Sequence, residues 1–201
     1  MTRVGVLTYA GVDELDLAGV CSPLFKAARC ALHGEEFDVV LLGAEPSFVT
    51  SGGLRTDGAL PLAEAATCDI MVVPGGRGSA RAAETAVLVD TVREAGERGA
   101  ALYAVCSGAL VVAAAGIAAG RLAVHRDKRS QLRALTGAEI VQGLVRDPKV
   151  VSVGGLATPS VKAVDIAFAV LCDHLPECVR CIADRMEIQP PDATNLYRGD
   201  Y

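Results

Sequence analysis

The hydrophobic positions of this chain fall into short apolar runs that alternate with longer segments of helical character. The short runs predict strands at 3–9, 36–43, 68–73, 102–105, 140–141, 144–145 and 150–153. The longer segments predict helices at about 12–31, 85–98, 127–136 and 160–172, and another directly after Cys106. A short hairpin is predicted at 47–58 and a turn at 146–149. Apolar strands that alternate with helices indicate an α/β protein, in which a mostly parallel sheet carries helices on both faces.

The predicted organisation is a single domain over residues 1–201, with an extended polar tail at 185–201. The 201 residues show no linker, no internal repeat and no shift in composition. The net charge of −5 offers no basic patch for nucleic acid or for an anionic membrane. No apolar run approaches the roughly 20 residues of a membrane span, and acidic residues interrupt any signal-peptide core near the N-terminus. We therefore expect a cytoplasmic protein that acts on a small molecule.

The seven cysteines are odd in number and irregularly spaced, which argues against a secreted disulfide framework. Cys178 and Cys181, with Cys172 and His174 nearby, suggest a zinc site only weakly because the ligand set is incomplete. A helix with cysteines in small core spaces is the favoured interpretation of that segment. No metal and no organic cofactor is expected.

The most informative position is Cys106, which lies where a buried strand passes into an Ala- and Val-rich helix. A tight strand-to-helix turn of this kind resembles a nucleophile elbow. The free N–H groups and positive end of the new helix would favour the thiolate, which is the nucleophilic form. Because free cysteine is also among the most buried residue types, a core role stays open beside the nucleophile role.

A glycine-rich loop at 73–78 follows the strand at 68–73. It lacks the pattern of a phosphate-binding P-loop. Glycines allow backbone N–H groups to approach another group closely, so Gly75 and Gly76 beside a nucleophile would form an oxyanion or anion pocket. An ordinary turn is the alternative. This loop, the loop after the first strand and the Cys106 turn are all expected at the carboxyl edge of the sheet.

Asp16 has two possible roles. With Asp13 as N-cap, Asp16 occupies the third helical position of a capping box. On a helix, however, its neighbours Val12, Gly19 and Val20 are apolar or small, and a carboxyl group in such surroundings has a raised pKa and suits acid/base chemistry. Both the cap and the acid/base role stay open.

His125 lies 19 residues after Cys106 and is a candidate base for it. Spacing alone does not bring the imidazole to the sulfur. A structural histidine or a residue that lines the pocket is therefore the favoured interpretation.

At this point the motifs match a family. The chain resembles the DJ-1/PfpI superfamily over nearly its whole length, and within it the isonitrile hydratase branch. The matching segments are 15–19, 73–78, 104–109, 120–125, 153–158 with 164–165, and 189–191. They resemble, in that order, the family motifs LDLxGP, VPGGxG, VCTGA, GRxATTHW, GGVTAGID and QPP. The Asp16 motif combined with Cys-Ser-Gly is what favours the hydratase branch.

The resemblance implies a flavodoxin-like three-layer sandwich and a homodimer. It implies an enzyme that adds water to an isonitrile to give an N-substituted formamide. By this likeness Cys106 is the nucleophile, Asp16 is the acid/base and Ser107 assists. Four further residues are then expected at the substrate or an oxyanion: Gly75, Gly76, His125 and Arg126.

Several positions depart from the family motifs. Val20 replaces a proline, Ser107 a threonine and Arg126 an aromatic residue, and residues 157–159 replace a Thr-Ala-Gly turn. These departures point to a substrate that is larger or more polar than an apolar isonitrile, such as a specialised metabolite. Two alternatives remain: another cysteine-dependent enzyme of glyoxalase, deglycase or peptidase type, and a non-catalytic sensor domain. The first group typically has Glu near the cysteine and His directly after it, whereas this chain has Asp16 and Ser107.

Overall fold

A seven-stranded sheet forms the centre of the fold in the computed structural model, which describes residues 1–30, 37–155 and 161–189. The strands of this sheet are β1 (Thr2–Thr8), β2 (Phe37–Gly43), β5 (Leu60–Pro61), β6 (Ile70–Val73), β7 (Ala101–Val105), β10 (Gly143–Arg146) and β11 (Val151–Gly154). Their order is β10-β11-β7-β6-β1-β2-β5, and only the β10–β11 pair is antiparallel. The five central parallel strands thus have the order second, first, third, fourth, fifth, which is the flavodoxin-like order.

The helices form two groups. They are α1 (Glu14–Ala28), α2 (Ser79–Ala82), α3 (Ala86–Glu97), α4 (Ala109–Ala114), α5 (Arg129–Leu135), α6 (Lys162–His174) and α7 (Val179–Arg185). α1, α6 and α7 pack together, and α4 packs with α2, α3 and α5. These groups cover the two faces of the sheet. All four residues of β6 are fully buried, which explains why that strand is continuously apolar rather than alternating. The predicted fold class is confirmed.

Two small sheets lie beside the main one. β3 (Ser47–Val49) and β4 (Arg55–Asp57) form the predicted hairpin. β8 (Arg121–Ala123) pairs in parallel with β9 (Glu139–Val141). The backbone of Gly11 and of Ser51 joins the hairpin to the start of α1, through N–H groups that donate to Val49 and Val12 at 2.8 Å each. The hairpin therefore borders the start of α1, the helix that carries Asp16.

The predicted helices and main strands are present, with ends that differ by one to three residues. The predicted helix 12–31 begins at Glu14, because Asp13 caps it, and ends at Ala28. The cysteine-containing segment near 178–181 is helical as expected, since it enters α7, and none of the seven cysteines, all within the described residues, forms a disulfide. Five elements were not predicted: α2, β5, β8 and the 3-10 turns at Leu62–Thr67 and Pro176–Cys178.

Two other predictions concern residues that lie wholly or mostly outside the described part of the chain. The departure at 157–159 and most of the tail lie outside the described residues. None of the described helices is both long and apolar enough to cross a membrane.

Candidate active site

Cys106 lies at the carboxyl end of β7 and begins a 3-10 turn, Cys106–Gly108, that leads into α4. Its φ of 58° is in the left-handed region, which side-chain-bearing residues rarely adopt. Such a backbone costs about 1–3 kcal/mol and concentrates at functional sites. The predicted strand-to-helix turn with a nucleophile-elbow geometry is therefore present at Cys106.

The carboxyl group of Asp16 faces the Cys106 turn and does not close a capping box. Asp13 caps α1, because its Oδ1 accepts from the N–H groups of Leu15 (3.0 Å) and Asp16 (3.1 Å). Oδ2 of Asp16 instead accepts from the N–H of Gly75 at 3.2 Å, and the side chain of Cys106 lowers the pKa of this carboxyl group. Asp16 is only 8% exposed. The sequence left open whether Asp16 caps the helix or acts as an acid/base. The structure places its carboxyl group at the candidate active site.

The glycine loop is packed tightly against both groups. A Cβ at Gly75 would lie 2.7 Å from Oδ2 of Asp16, 2.7 Å from the amide nitrogen of Ser107 and 2.9 Å from Cβ of Cys106. The carbonyl of Gly75 also accepts a hydrogen bond from the N–H of Asp13 at 2.8 Å. A side chain at this position would separate the carboxyl group from the thiol, so glycine is required here.

The hydroxyl group of Ser107 makes two hydrogen bonds to the same loop. Its Oγ accepts from the N–H of Gly76 at 2.9 Å and donates to the carbonyl of Gly76 at 3.1 Å. The N–H groups of Gly75 and Gly76 are thus both used within the site, by Asp16 and Ser107. In this structure the two glycines position the reacting groups; their expected role as donors to a substrate oxygen or anion stays a prediction.

The surroundings of Cys106 and Asp16 disfavour a negative charge on both groups at once. Burial, and after it the charge of Asp16, raises the pKa of the Cys106 thiol to about 12. Burial and then the charge of Asp13 raise the pKa of Asp16 to about 6. The N–H of Ser107 bonds to the sulfur and lowers its pKa, as expected at a helix start, but this contribution is smaller than that of burial. The turn therefore favours the thiolate in the predicted direction, but burial and the neighbouring carboxyl group oppose it more strongly.

Two further residues at this site were missed in the sequence. Tyr9 directly follows β1 and is buried, and its hydroxyl donates to the carbonyl of Pro74 at 2.6 Å. Burial, followed by the charges of Asp16 and Cys106, raises the pKa of Tyr9. Lys162 is the first residue of α6, and its positive charge lowers the pKa of both Asp16 and Cys106. The sequence could have indicated Tyr9 as a site residue, because it lies at the carboxyl end of a predicted strand.

The described side-chain contacts of His125 and Arg126 lie within their own turn. The backbone N–H of His125 donates to the carbonyl of Cys106 at 3.3 Å, but its Nδ1 accepts from the N–H of Asp127 at 3.2 Å. The imidazole thus caps its own turn, which fits the structural interpretation. The side chain of Arg126 is 62% exposed, with Nε 3.4 Å from Oδ1 of Asp127. No described contact brings either side chain to the sulfur, and their roles toward a substrate stay predictions.

The described residues contain no group of three His, Cys, Asp or Glu side chains arranged to hold a metal ion. The arrangement can supply a thiol nucleophile, one proton and a carboxylate that accepts it, all where α1, the glycine loop and the Cys106 turn meet. A flavodoxin-like sheet with a left-handed cysteine at this edge defines a class of α/β proteins built around a reactive thiol.

The comparison with family models agrees with this class. The DJ-1/PfpI family model matches residues 2–171, and the chain belongs to that family.

Two curated proteins and a solved structure are similar to the chain. An isonitrile hydratase from Pseudomonas putida is 26% identical over 155 residues, which are 77% of this chain and 65% of that protein. The chain thus matches slightly less than two thirds of that relative's length. A Streptomyces lividans protein of unassigned function is 33% identical over 122 residues, 60% of this chain and 84% of its own. Drosophila melanogaster DJ-1beta has a TM-score of 0.77 at 21% identity, covers 94% of this chain and 98% of its own, and supports the fold.

Proposed function

We propose that this protein is an isonitrile hydratase-like enzyme, which adds water to the terminal carbon of an isonitrile and releases an N-substituted formamide. The observation that carries the proposal is the packing of Gly75 against both groups, where a Cβ would lie 2.7 Å from Oδ2 of the buried Asp16 and 2.9 Å from Cβ of Cys106. The sequence similarity to the Pseudomonas putida isonitrile hydratase supports it.

Hydration of an isonitrile requires that a nucleophile and a proton both reach its terminal carbon. A thiol and a carboxyl group that lie beside the same glycine can deliver both from one side. The site is mostly buried, so an apolar isonitrile would meet little competing water before it reacts.

In the first step the thiol proton of Cys106 passes to Asp16, the sulfur bonds to the terminal carbon, and Asp16 gives the proton to that carbon. The product is a covalent thioimidate, in which the carbon carries sulfur, hydrogen and a double bond to nitrogen. Asp16 is left as a carboxylate. Its raised pKa of about 6 makes it an acid and a base that both operate near neutral pH.

In the second step water adds across the carbon–nitrogen double bond. Asp16 takes a proton from the attacking water and passes it to the nitrogen, while the oxygen bonds to the carbon. The carbon–sulfur bond then breaks, the hydroxyl proton passes to Asp16 and the formamide leaves. That proton returns from Asp16 to the sulfur, so the thiol of Cys106 and the carboxylate of Asp16 are restored and no redox partner is consumed.

Ser107 and the glycine loop act by holding this geometry. The two hydrogen bonds between Ser107 and Gly76 keep the loop against the Cys106 turn. The amide of Gly75 fixes Oδ2 of Asp16. Preorganised groups of this kind lower the barrier because little rearrangement is needed during reaction.

The test is incubation of the purified protein with cyclohexyl isonitrile and with para-substituted phenyl isonitriles, followed by mass spectrometry of the formamide. We expect formamide from the wild type, none from Cys106→Ala and a severe reduction with Asp16→Asn. Methylglyoxal is assayed in parallel. Turnover of methylglyoxal without formamide would replace the hydratase proposal by the glyoxalase or deglycase alternative.

A further inference from the structure

The loop after β1 pairs with the glycine loop through backbone hydrogen bonds beside the candidate active site. The N–H of Gly78 donates to the carbonyl of Gly11 at 2.9 Å, and the N–H of Asp13 donates to the carbonyl of Gly75 at 2.8 Å. The N–H of Gly75 in turn donates to Oδ2 of Asp16 at 3.2 Å. The position of the Asp16 carboxyl group therefore depends on how closely these two loops are held together.

The hydroxyl group of Ser51, at the tip of the β3–β4 hairpin, bridges the two loops. Its Oγ donates to the carbonyl of Gly11 at 2.7 Å and accepts from the N–H of Arg77 at 3.0 Å. The backbone N–H of Ser51 also donates to the carbonyl of Val12 at 2.8 Å. One residue of the hairpin is thus bonded both to the loop that leads into α1 and to the glycine loop.

The hairpin tip is itself held in place by further hydrogen bonds. The N–H of Gly52 donates to Oε2 of Glu14, in the first turn of α1, at 3.0 Å. Across the tip, Oγ1 of Thr50 accepts from the N–H of Leu54 at 3.0 Å, and the N–H of Thr50 donates to the carbonyl of Leu54 at 2.9 Å. Ser51 therefore projects from a fixed support, so its hydroxyl group can constrain the loops that it bridges.

The glycine loop depends on partners outside itself. All four N–H groups of residues 75–78 donate to acceptors within the protein. Two of the acceptors are the side chains of Asp16 and Ser107, the third is the carbonyl of Gly11 and the fourth is the hydroxyl group of Ser51. Because glycine has the widest conformational freedom of any residue, a loop rich in glycine keeps one conformation only through such contacts.

We propose that Ser51 is a positioning residue of this site, whose hydroxyl group holds the glycine loop against the loop after β1 and so holds the carboxyl group of Asp16 beside Cys106. The hydrogen bonds that the structure gives Ser51 go to backbone atoms, so it acts through the two loops. The inference rests on Asp16 and Cys106 being the reacting pair of the proposed function, but not on the identity of the substrate.

The experiment measures amide hydrogen exchange by NMR in the wild type, Ser51→Ala, Ser51→Thr and Ser47→Ala. An amide exchanges when its hydrogen bond opens, so the rate reports the free energy of that opening. The amides of Gly75 and Gly76 report on the loop at the site. The amide of Val6, a fully buried residue of the central strand β1, reports on unfolding of the whole domain.

We expect Ser51→Ala to raise the exchange rates of Gly75 and Gly76 about tenfold more than that of Val6, because two hydrogen bonds that close the loop are lost. Ser51→Thr keeps the hydroxyl group and should stay close to the wild type. The matched control is Ser47→Ala, at an exposed serine on β3 of the same hairpin, which should leave these rates unchanged.

Steady-state kinetics with cyclohexyl isonitrile give a second readout. Ser51→Ala should lower kcat by about tenfold at a nearly unchanged KM, since the reacting groups are misplaced while substrate contacts remain. Ser51→Thr should restore kcat, whereas Ser47→Ala should not lower it. This pattern distinguishes a positioning role from a general loss of stability.

A folded Ser51→Ala variant in which exchange at Gly75 and Gly76 rises no more than at Val6, or in which the rise is confined to Arg77, would overturn the proposal. A wild-type kcat in a variant with a loosened loop would also overturn it. Absence of formamide with the wild type would instead refute the hydratase activity, and the exchange rates would still decide the role of Ser51.

Discussion

The amide nitrogen of Gly75 lies 3.2 Å from Oδ2 of Asp16 and donates a hydrogen bond to it. The carbonyl of Gly75 accepts from the N–H of Asp13 at 2.8 Å, so one glycine holds both ends of the first turn of α1. The loop that follows β6 thereby fixes a carboxyl group that follows β1. Because Cys106 follows β7, the site joins the carboxyl ends of three adjacent strands, beside the point where the strand order reverses.

Gly75→Ala should abolish or severely reduce formamide production, because its methyl group would lie 2.7 Å from Oδ2 of Asp16 and 2.9 Å from Cβ of Cys106. The matched control is Gly137→Ala, since a Cβ at Gly137 meets no atom within 4 Å. Steady-state kinetics with an isonitrile compare the two variants. Full activity in a folded Gly75→Ala variant would show that the close contact around Asp16 is not needed.

Asp16→Asn should stabilise the protein at neutral pH while it reduces activity. The folded state raises the pKa of Asp16 from 3.8 to about 6, so it binds this proton more tightly than the unfolded chain does. The resulting stabilisation is complete below about pH 4 and is lost as the pH rises to about 6. Asparagine carries no charge at any of these pH values. We therefore expect Asp16→Asn to exceed the wild type by about 2–3 kcal/mol at pH 7.5 and to match it near pH 4.

Urea denaturation at pH 4.0, 5.0, 6.0 and 7.5 measures this difference. Asp184→Asn, at an exposed position on α7, is the control and should show no comparable gain with pH. A variant Asp16→Asn that is less stable than the wild type at pH 7.5 would mean that the carboxylate is stabilised, rather than penalised, by its surroundings.

Ser107→Ala should lower both stability and activity, because it removes the two hydrogen bonds with Gly76. The loss of partners for a buried polar group costs about 1–3 kcal/mol. Ser107→Thr keeps the hydroxyl group and should retain more activity than Ser107→Ala. Thermal unfolding and steady-state assays of the two variants test this order, and equal behaviour of both would show that the hydroxyl group does not hold the loop.

The strands and helices that carry the site were predictable where burial is uniform. The run at β6 is fully buried in the structure, so its apolar residues are continuous in the sequence and easy to recognise. β8 was missed because its three residues, Arg121–Ala123, depend on pairing with Glu139–Val141, a contact that no local pattern indicates. Short strands of this kind form only through non-local contacts.

The site itself was predictable only in part. Cys106 could be located because a strand-to-helix turn is a local feature. The role of Asp16 could not be decided, because a cap and an acid/base have the same local sequence, and only the contact with Gly75 distinguishes them. Lys162 could not be found, since it lies on α6, whose packing against α1 at Gly19 and Ala163 is a non-local contact.

The resemblance to the DJ-1/PfpI family also predicts a homodimer. Light scattering at micromolar concentration should give about twice the chain mass of 20.7 kDa. A mass that corresponds to one chain over that concentration range would contradict the prediction, and it would leave the proposed chemistry of Cys106 and Asp16 unaffected, because both groups lie on one chain.

The most direct test of the central claim is the intact mass of the protein after rapid mixing with a slight excess of cyclohexyl isonitrile. The thioimidate retains every atom of the isonitrile, so the account predicts a transient gain of one isonitrile mass at Cys106. That gain should disappear as formamide is released, and it should be absent in Cys106→Ala. Formamide production by Cys106→Ala at the wild-type rate, or an adduct that maps to another residue, would contradict the account.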